Sequence, residues 1–356
     1  MAAIRRPASI LAAFLVLAST STCDTAEDEL ALQARLTSCE LIRYFHYPCE
    51  ISYATTNDGY VLEVNRVPRG RQGNAAAEQE QNGTRRHPVL FVPPLLSGSD
   101  VWFLNYPSQA AGFLFADAGF DVWSMNFRDS GRYSNHTTLS KNDPEYWKLS
   151  FDEIGRYDAA AGVDHVLNAT GAERLTLLAL SQGVTSVLVL LSTRPEYNDK
   201  VTMREMAGYL GASEGLSVLL AQLCEILSGE ACSLAITITL FSSSYQLNEV
   251  YKAKDFVMYN HGVKENCERY NQTKPLAYPL HRITTPWAIF SSEGDQVADS
   301  RDTEELVARL GSRVILHRVL PQKTFGHVDF AIGYKCTDFL HNVAIDVVKQ
   351  QIGLSE

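Results

Sequence analysis

Basic residues are in short supply: 31 Lys and Arg stand against 41 Asp and Glu in 356 residues, a formal charge of −10. A nucleic-acid-binding domain gathers positive charge on one face to neutralise phosphates, so that class is excluded. No two cysteines are spaced as CxxC and no Cys/His cluster occurs, which removes structural zinc and leaves no metal or organic cofactor to expect. A membrane span needs roughly 20 apolar residues in a row. Residues 10–18 are too short for one, and residues 175–191 are broken by Ser181, Gln182, Gly183, Thr185 and Ser186, so no transmembrane anchor is expected. No 20–50-residue period is visible, which argues against solenoids and propellers. What is present is ordinary globular material: 46% apolar and 20% charged residues, enough for a large buried core and too apolar for a disordered chain.

The first residues carry an address. Arg5 and Arg6 precede the apolar run, and Ser19, Thr20, Ser21 and Thr22 follow it, the pattern of a secretory signal peptide cut near Cys23. Residues 1–23 are assigned to it. Removing Cys23 leaves an even set, Cys39, Cys49, Cys224, Cys232, Cys267 and Cys336, in an oxidising compartment. Closeness in sequence favours a Cys224–Cys232 disulfide, while Cys39 and Cys49 fit either a second disulfide or two buried thiols. Four sequons, at Asn82, Asn135, Asn168 and Asn271, are glycan acceptors on the surface of an exported protein. The destination is secretion or the lysosomal lumen.

Strand and helix patterns alternate along the chain. Residues 51–56 and 60–67 form an expected hairpin around Asn57-Asp58-Gly59, since Asp-Gly supplies the positive φ angles of a tight turn. Residues 69–87 read as a solvated loop. Strands follow at 88–92, 120–127 and 174–180, with helices at 109–118, 151–168 and 184–193, the second opened by a capping box at Ser150 and Glu153. The rhythm resumes with strands at 287–291 and 314–320 and helices at 303–310 and 337–351; Asp302 is the expected cap of the first of these. Such alternation predicts an α/β fold with a mostly parallel sheet covered by helices on both faces. Residues 38–200 and 280–352 are assigned to this core. Residues 201–279 break the rhythm and read as a shortened helical cap inserted into it.

The chemistry concentrates where the strand ending at Leu180 meets a helix. Ser181 stands at that turn with Ala179 and Gly183 two residues to either side, and small residues there allow a turn so tight that larger side chains would collide. This is the setting of a nucleophile elbow. A serine hydroxyl needs a base and the base an orienting acid, in the chain order Ser, acid, His for such a fold. Asp295 follows the strand at 287–291, with Asp299 and Asp302 as alternative acids. His327 follows the last strand beside Gly326. The amide after the nucleophile, that of Gln182, and one after the 88–92 strand are the oxyanion donors to expect. Pro93 and Pro94 have no N–H, so the second falls to Leu95.

Several separated segments then resemble the acid lipase family, the group of lysosomal acid lipase and gastric lipase. They are Asn57-Asp-Gly-Tyr-Val-Leu with Asn65-Arg-Val-Pro68, the FLFADAGFDVW stretch from Phe113 to Trp123, Tyr146 to Ile154, Ser181-Gln-Gly183, Gly294-Asp295 with Val297-Ala-Asp299, and His327-Val-Asp-Phe330. The resemblance covers roughly residues 38–200 and 250–350. It implies an α/β-hydrolase fold with Ser181 as nucleophile, Asp295 as acid, His327 as base, and Leu95 and Gln182 as oxyanion donors. The implied activity is hydrolysis of carboxylic esters of neutral lipids, acylglycerols or sterol esters, at a lipid–water interface. The chain departs from the family in three places. The family's Gly-His-Ser-Gln-Gly reads Ala179-Leu-Ser-Gln-Gly183, its His-Gly before the oxyanion leucine reads Pro93-Pro94, and the cap lacks a block between Gln246-Leu-Asn248 and Tyr251-Lys-Ala-Lys254. These departures keep a second reading open, a catalytically impaired lipase-fold protein that binds lipid or a protein partner.

Overall fold

The computed structural model describes residues 32–33, 35–71, 85–95, 97–207, 250, 252–333 and 336–354. The signal-peptide segment, Asn82, Cys224 and Cys232, and most of the expected cap lie outside the described residues.

Among the described residues nine strands form one mixed sheet: β1 (Glu50–Thr55), β2 (Tyr60–Val67), β3 (Pro88–Val92), β4 (Asp121–Met125), β5 (Ser134–His136), β6 (Leu175–Leu180), β7 (Val201–Ala207), β8 (Trp287–Ser292) and β9 (Val314–Leu320). The order is β1-β2-β4-β3-β6-β7-β8-β9, with β5 on the side of β2. β1 and β2 make the expected antiparallel hairpin, with Gly59 of its turn at φ +99°. From β4 through β9 along that order every pairing is parallel.

Burial on both faces explains the near-continuous apolar strands. Along β3, Leu90 and Val92 pack on one side while Val89 and Phe91 pack on the other; β6 divides Leu177 and Ala179 from Leu178 and Leu180 in the same way. Side chains alternate across a strand, so a strand in mid-sheet must be apolar at every position. The first face is covered by the helices Gln182–Thr193 and Ala160–Thr170 and the second by Ala111–Asp117 and Asn342–Gln351. The Ser150 capping box is formed, and from it the chain runs through a π-helical stretch, Ile154–Ala159, into Ala160–Thr170.

Two boundaries differ from expectation. Val201–Ala207, placed by the sequence at the start of the cap, is a strand between β6 and β8. The helix expected from residue 303 begins at Ser300, and its cap is Asp299, whose side chain accepts from the Arg301 amide, not Asp302. Cys39 and Cys49 form a disulfide that ties the helix Ser38–Tyr44 to the start of β1. Among the described residues no helix is long and apolar enough to cross a membrane, and no group of three His, Cys, Asp or Glu could hold a metal ion.

Candidate active site

The strand order changes direction around β3. From β3 the chain moves outward to β4, then returns across the sheet to β6 on the other side of β3. The loops leaving the carboxyl ends of β3 and β6 therefore diverge, and in open α/β sheets such a divergence opens a crevice where ligands bind. Leu95 is carried by the first loop and Ser181 by the second.

Ser181 is held at φ +59°, ψ −123°, a conformation that L residues rarely adopt and that costs on the order of 1–3 kcal/mol. The strain is sustained by what surrounds it. β6 is wholly buried, and the helix Gln182–Thr193 starts at once, its first bonds running from the Val184 and Thr185 amides to the Ser181 carbonyl. Gly183 makes the close approach feasible: a Cβ there would sit 2.7 Å from the carbonyl oxygens of both Val92 and Pro93. The end of β3 thus lies directly against the first turn of the helix, which draws the Leu95 loop to the elbow. The amides of Gln182 and Gly183 precede those bonds, have no intrahelical acceptor and lie at the positive end of the helix dipole. Ser181 and Gln182 are both buried, and neither polar atom of the Gln182 carboxamide has a hydrogen-bond partner among the described residues.

Asp295 and His327 meet although 32 residues separate them: His327 Nδ1 lies 2.8 Å from Asp295 Oδ2. The other carboxylate oxygen, Oδ1, accepts from the amides of Val297 and Ala298, each at 2.9 Å, so the carboxylate is fixed before the imidazole reaches it. A carboxylate only accepts, so His327 carries its proton on Nδ1 and Nε2 is left as the acceptor. Nε2 is buried and has no partner among the described residues, and no hydrogen bond joins it to Ser181. Catalytic hydrogen bonds are often made only when substrate arrives.

Contacts the sequence did not single out bring these two loops together. Ser292, at the end of β8, donates to the Phe325 carbonyl at 2.8 Å and accepts from the Gly294 amide at 3.1 Å. A Cβ on Gly294 would collide with the Lys323 carbonyl and stand 2.7 Å from that of Phe325. Asp329 accepts from the Gly326 amide at 2.7 Å and so orients the turn bearing His327. The only sequence signal for that last contact is an aspartate three residues beyond a glycine. Of the other expected acids, Asp299 serves as a helix cap, bonded to Arg301. The sequons at Asn135, Asn168 and Asn271 are exposed.

The fold and the strained serine at a strand-to-helix turn define an α/β-hydrolase. Among solved structures the chain is similar to a putative aryl esterase from Burkholderia cenocepacia (TM-score 0.52, 13% identity, 85% of this chain and 100% of that one). It is likewise similar to a carboxylesterase from Bacillus subtilis (TM-score 0.50, 11% identity, 90% and 96%). The family model for a partial alpha/beta-hydrolase lipase region matches residues 39–106. Among characterised proteins, human lipase member M is 27% identical over 96% of this chain and 92% of its own length. Bovine gastric triacylglycerol lipase is 26% identical, covering 95% and 97%, and human lysosomal acid lipase/cholesteryl ester hydrolase 26%, covering 87% and 90%. The resemblance to the acid lipases thus extends over nearly the whole chain and supports a carboxylic ester hydrolase, while the solved structures share its fold.

Proposed function

We propose that the chain is an exported serine hydrolase of neutral-lipid esters, acylglycerols or sterol esters, acting through Ser181, His327 and Asp295, with residues 38–207 and 280–352 forming the catalytic core under an inserted cap. The observation that carries this reading is the imidazole of His327, held by Asp295 on one nitrogen and unpartnered on the other. In the first half-reaction Ser181 Oγ attacks the ester carbonyl carbon while its proton passes to His327 Nε2. The imidazolium that forms is stabilised by Asp295, and the negative charge on the carbonyl oxygen is met by the Gln182 and Leu95 amides. The C–O bond to the alcohol breaks, the alcohol leaves with the proton from His327, and the acyl group remains on Ser181. Water then gives its proton to His327, attacks the acyl-enzyme and releases the fatty acid as Ser181 recovers its hydrogen. Acyl transfer of this kind needs no metal or organic cofactor. The relatives and the sequons support export, to the medium or to the lysosomal lumen.

The test is labelling of purified native protein by a fluorophosphonate, alongside turnover of emulsified long-chain acylglycerols and sterol esters. Native protein is expected to label and to hydrolyse, whereas Ser181→Ala and heat-denatured protein do neither. Failure of folded protein to label overturns the reading. That result would favour the impaired, lipid- or protein-binding alternative, for which Pro93-Pro94 beside the oxyanion amide is the specific reason.

A further inference from the structure

The helix Ala160–Thr170 and the preceding π-helical stretch present a stripe at helical spacing: Tyr157, Ala161, His165 and Asn168. The stripe forms one side of a cleft of about 240 Å³, closed on the other side by Thr55 at the end of β1, Asn57 in the turn beyond it, Arg194 and Tyr197. Its walls are polar and its floor is kept low by alanine. At one end lies a sequon asparagine, Asn168-Ala-Thr170, with its side chain exposed.

We propose that an N-glycan on Asn168 folds back along this cleft, its proximal sugars lying over Ala161 toward the ring of Tyr157. The inference rests on the export proposed above and is independent of ester hydrolysis. The helix from Ala160 to Asn168 rises about 12 Å, which sets the length of the trough. The volume is several times the roughly 30 Å³ share of a water, yet falls below the ~300–1,000 Å³ of sites that capture free small molecules. Covalent attachment removes that difficulty, because a tethered group is present at high effective concentration and has already lost most of its translational freedom. The lining matches a sugar's mixed surface. Tyr157, 36% exposed, offers a flat apolar face. Around it, Thr55 and Asn57 are exposed and Asp164 lies within the cleft, so hydroxyl, carboxamide and carboxylate groups face the space. The walls are already rigid: Asp164 accepts from Tyr197 at 2.6 Å and from Lys200 at 2.5 Å, and His165 is bonded to Ser52 at 2.8 Å. A sugar would meet a preformed surface with little left to order.

The experiment uses full-length secreted protein made in cells that leave N-glycans uniformly high-mannose. Native protein is treated with an endoglycosidase that cuts between the two proximal sugars, and glycopeptide mass spectrometry follows each site. Release at Asn168 is expected to be at least tenfold slower than at Asn135 and Asn271. Denaturation should abolish the difference, and Asn57→Ala or Tyr157→Ala should reduce it in folded protein. The inactive Ser181→Ala protein should behave as wild type. Equal release rates in native protein overturn the proposal, as does an unoccupied Asn168 beside an occupied Asn135. If every sequon is empty, the export reading fails with it, whereas loss of ester turnover alone bears on neither.

Discussion

His341 should make the protein markedly less stable in mild acid, and its replacement should remove a predictable part of that loss. The side chain is 2% exposed, its Nε2 has no hydrogen-bond partner among the described residues, and Trp102, Leu178, Leu180, Phe330 and Leu340 line the space around it. Burial among these apolar groups disfavours the charged imidazolium and pushes its pKa down from 6.5 to about 4. Above pH 6.5 folded and unfolded chains both carry a neutral ring and the group is silent. Between 6.5 and 4 the unfolded chain binds the proton and the folded one does not, so stability falls as the pH falls; below 4 both are protonated and the loss levels off. At about 1.4 kcal/mol per pKa unit, the loss from pH 7 to pH 5 is about 2 kcal/mol, approaching about 3 kcal/mol at pH 4. His87 is depressed by burial to about 4 as well and acts with the same sign, so the wild type should lose roughly twice that from the two groups. Urea unfolding followed by tryptophan fluorescence at pH 7 and pH 5 measures the difference. His341→Phe should narrow the gap between the two pH values by about 2 kcal/mol with an unchanged denaturant slope. Equal losses in wild type and variant would refute the account.

Two substitutions probe the supports of the site and the core. Gly294→Ala introduces a methyl against the Lys323 and Phe325 carbonyls, so we expect the loop to give way, with a stability loss of about 1–3 kcal/mol and a fall in ester turnover larger than that loss accounts for; unchanged turnover would show that the Asp295–His327 pair does not depend on this approach. Arg128, 2% exposed, is held by Asp158 at 2.6 Å and by Asp58 at 2.7 Å. Asp158→Asn leaves that buried guanidinium short of its inner partner and should cost about 3–5 kcal/mol in chemical denaturation, against little change for an exposed control such as Glu145→Gln.

Much of this architecture is legible before any coordinates, for local reasons. Asp58-Gly59 between two alternating runs fixes a hairpin, and Ser150 with Glu153 fixes a helix start, because each signal and its consequence lie within a few residues. β7 was hidden because Thr202, Arg204 and Glu205 interrupt its apolar pattern; pairing with β6 on one side and with the distant β8 on the other makes it a strand. The choice between Asp299 and Asp302 as helix cap could not be made from residue type, since both satisfy the same rule. At the site, the sequence singled out Asp295 and His327 from their order and from strand ends. It could not reveal that Gly294 is required by two carbonyls from a different loop, or that Asp329 holds the turn before His327. Those are contacts between loops, and they carry no periodicity.

The distance in sequence between Ser181 and His327, its proposed base, has a consequence for synthesis. Ser181 and His327 are about 150 residues apart, so at 5–20 residues per second the chain carries its serine for on the order of ten seconds or more before the histidine exists. Within that interval β7, β8 and β9 are made in turn, and each extends the sheet beyond β6 by parallel pairing. Parallel strands recruited one at a time across helical crossovers fold slowly. On the proposed mechanism the newborn chain therefore passes through a period in which it has its serine but no base, and in which one sheet edge stays open to other strands until the last of its own arrives.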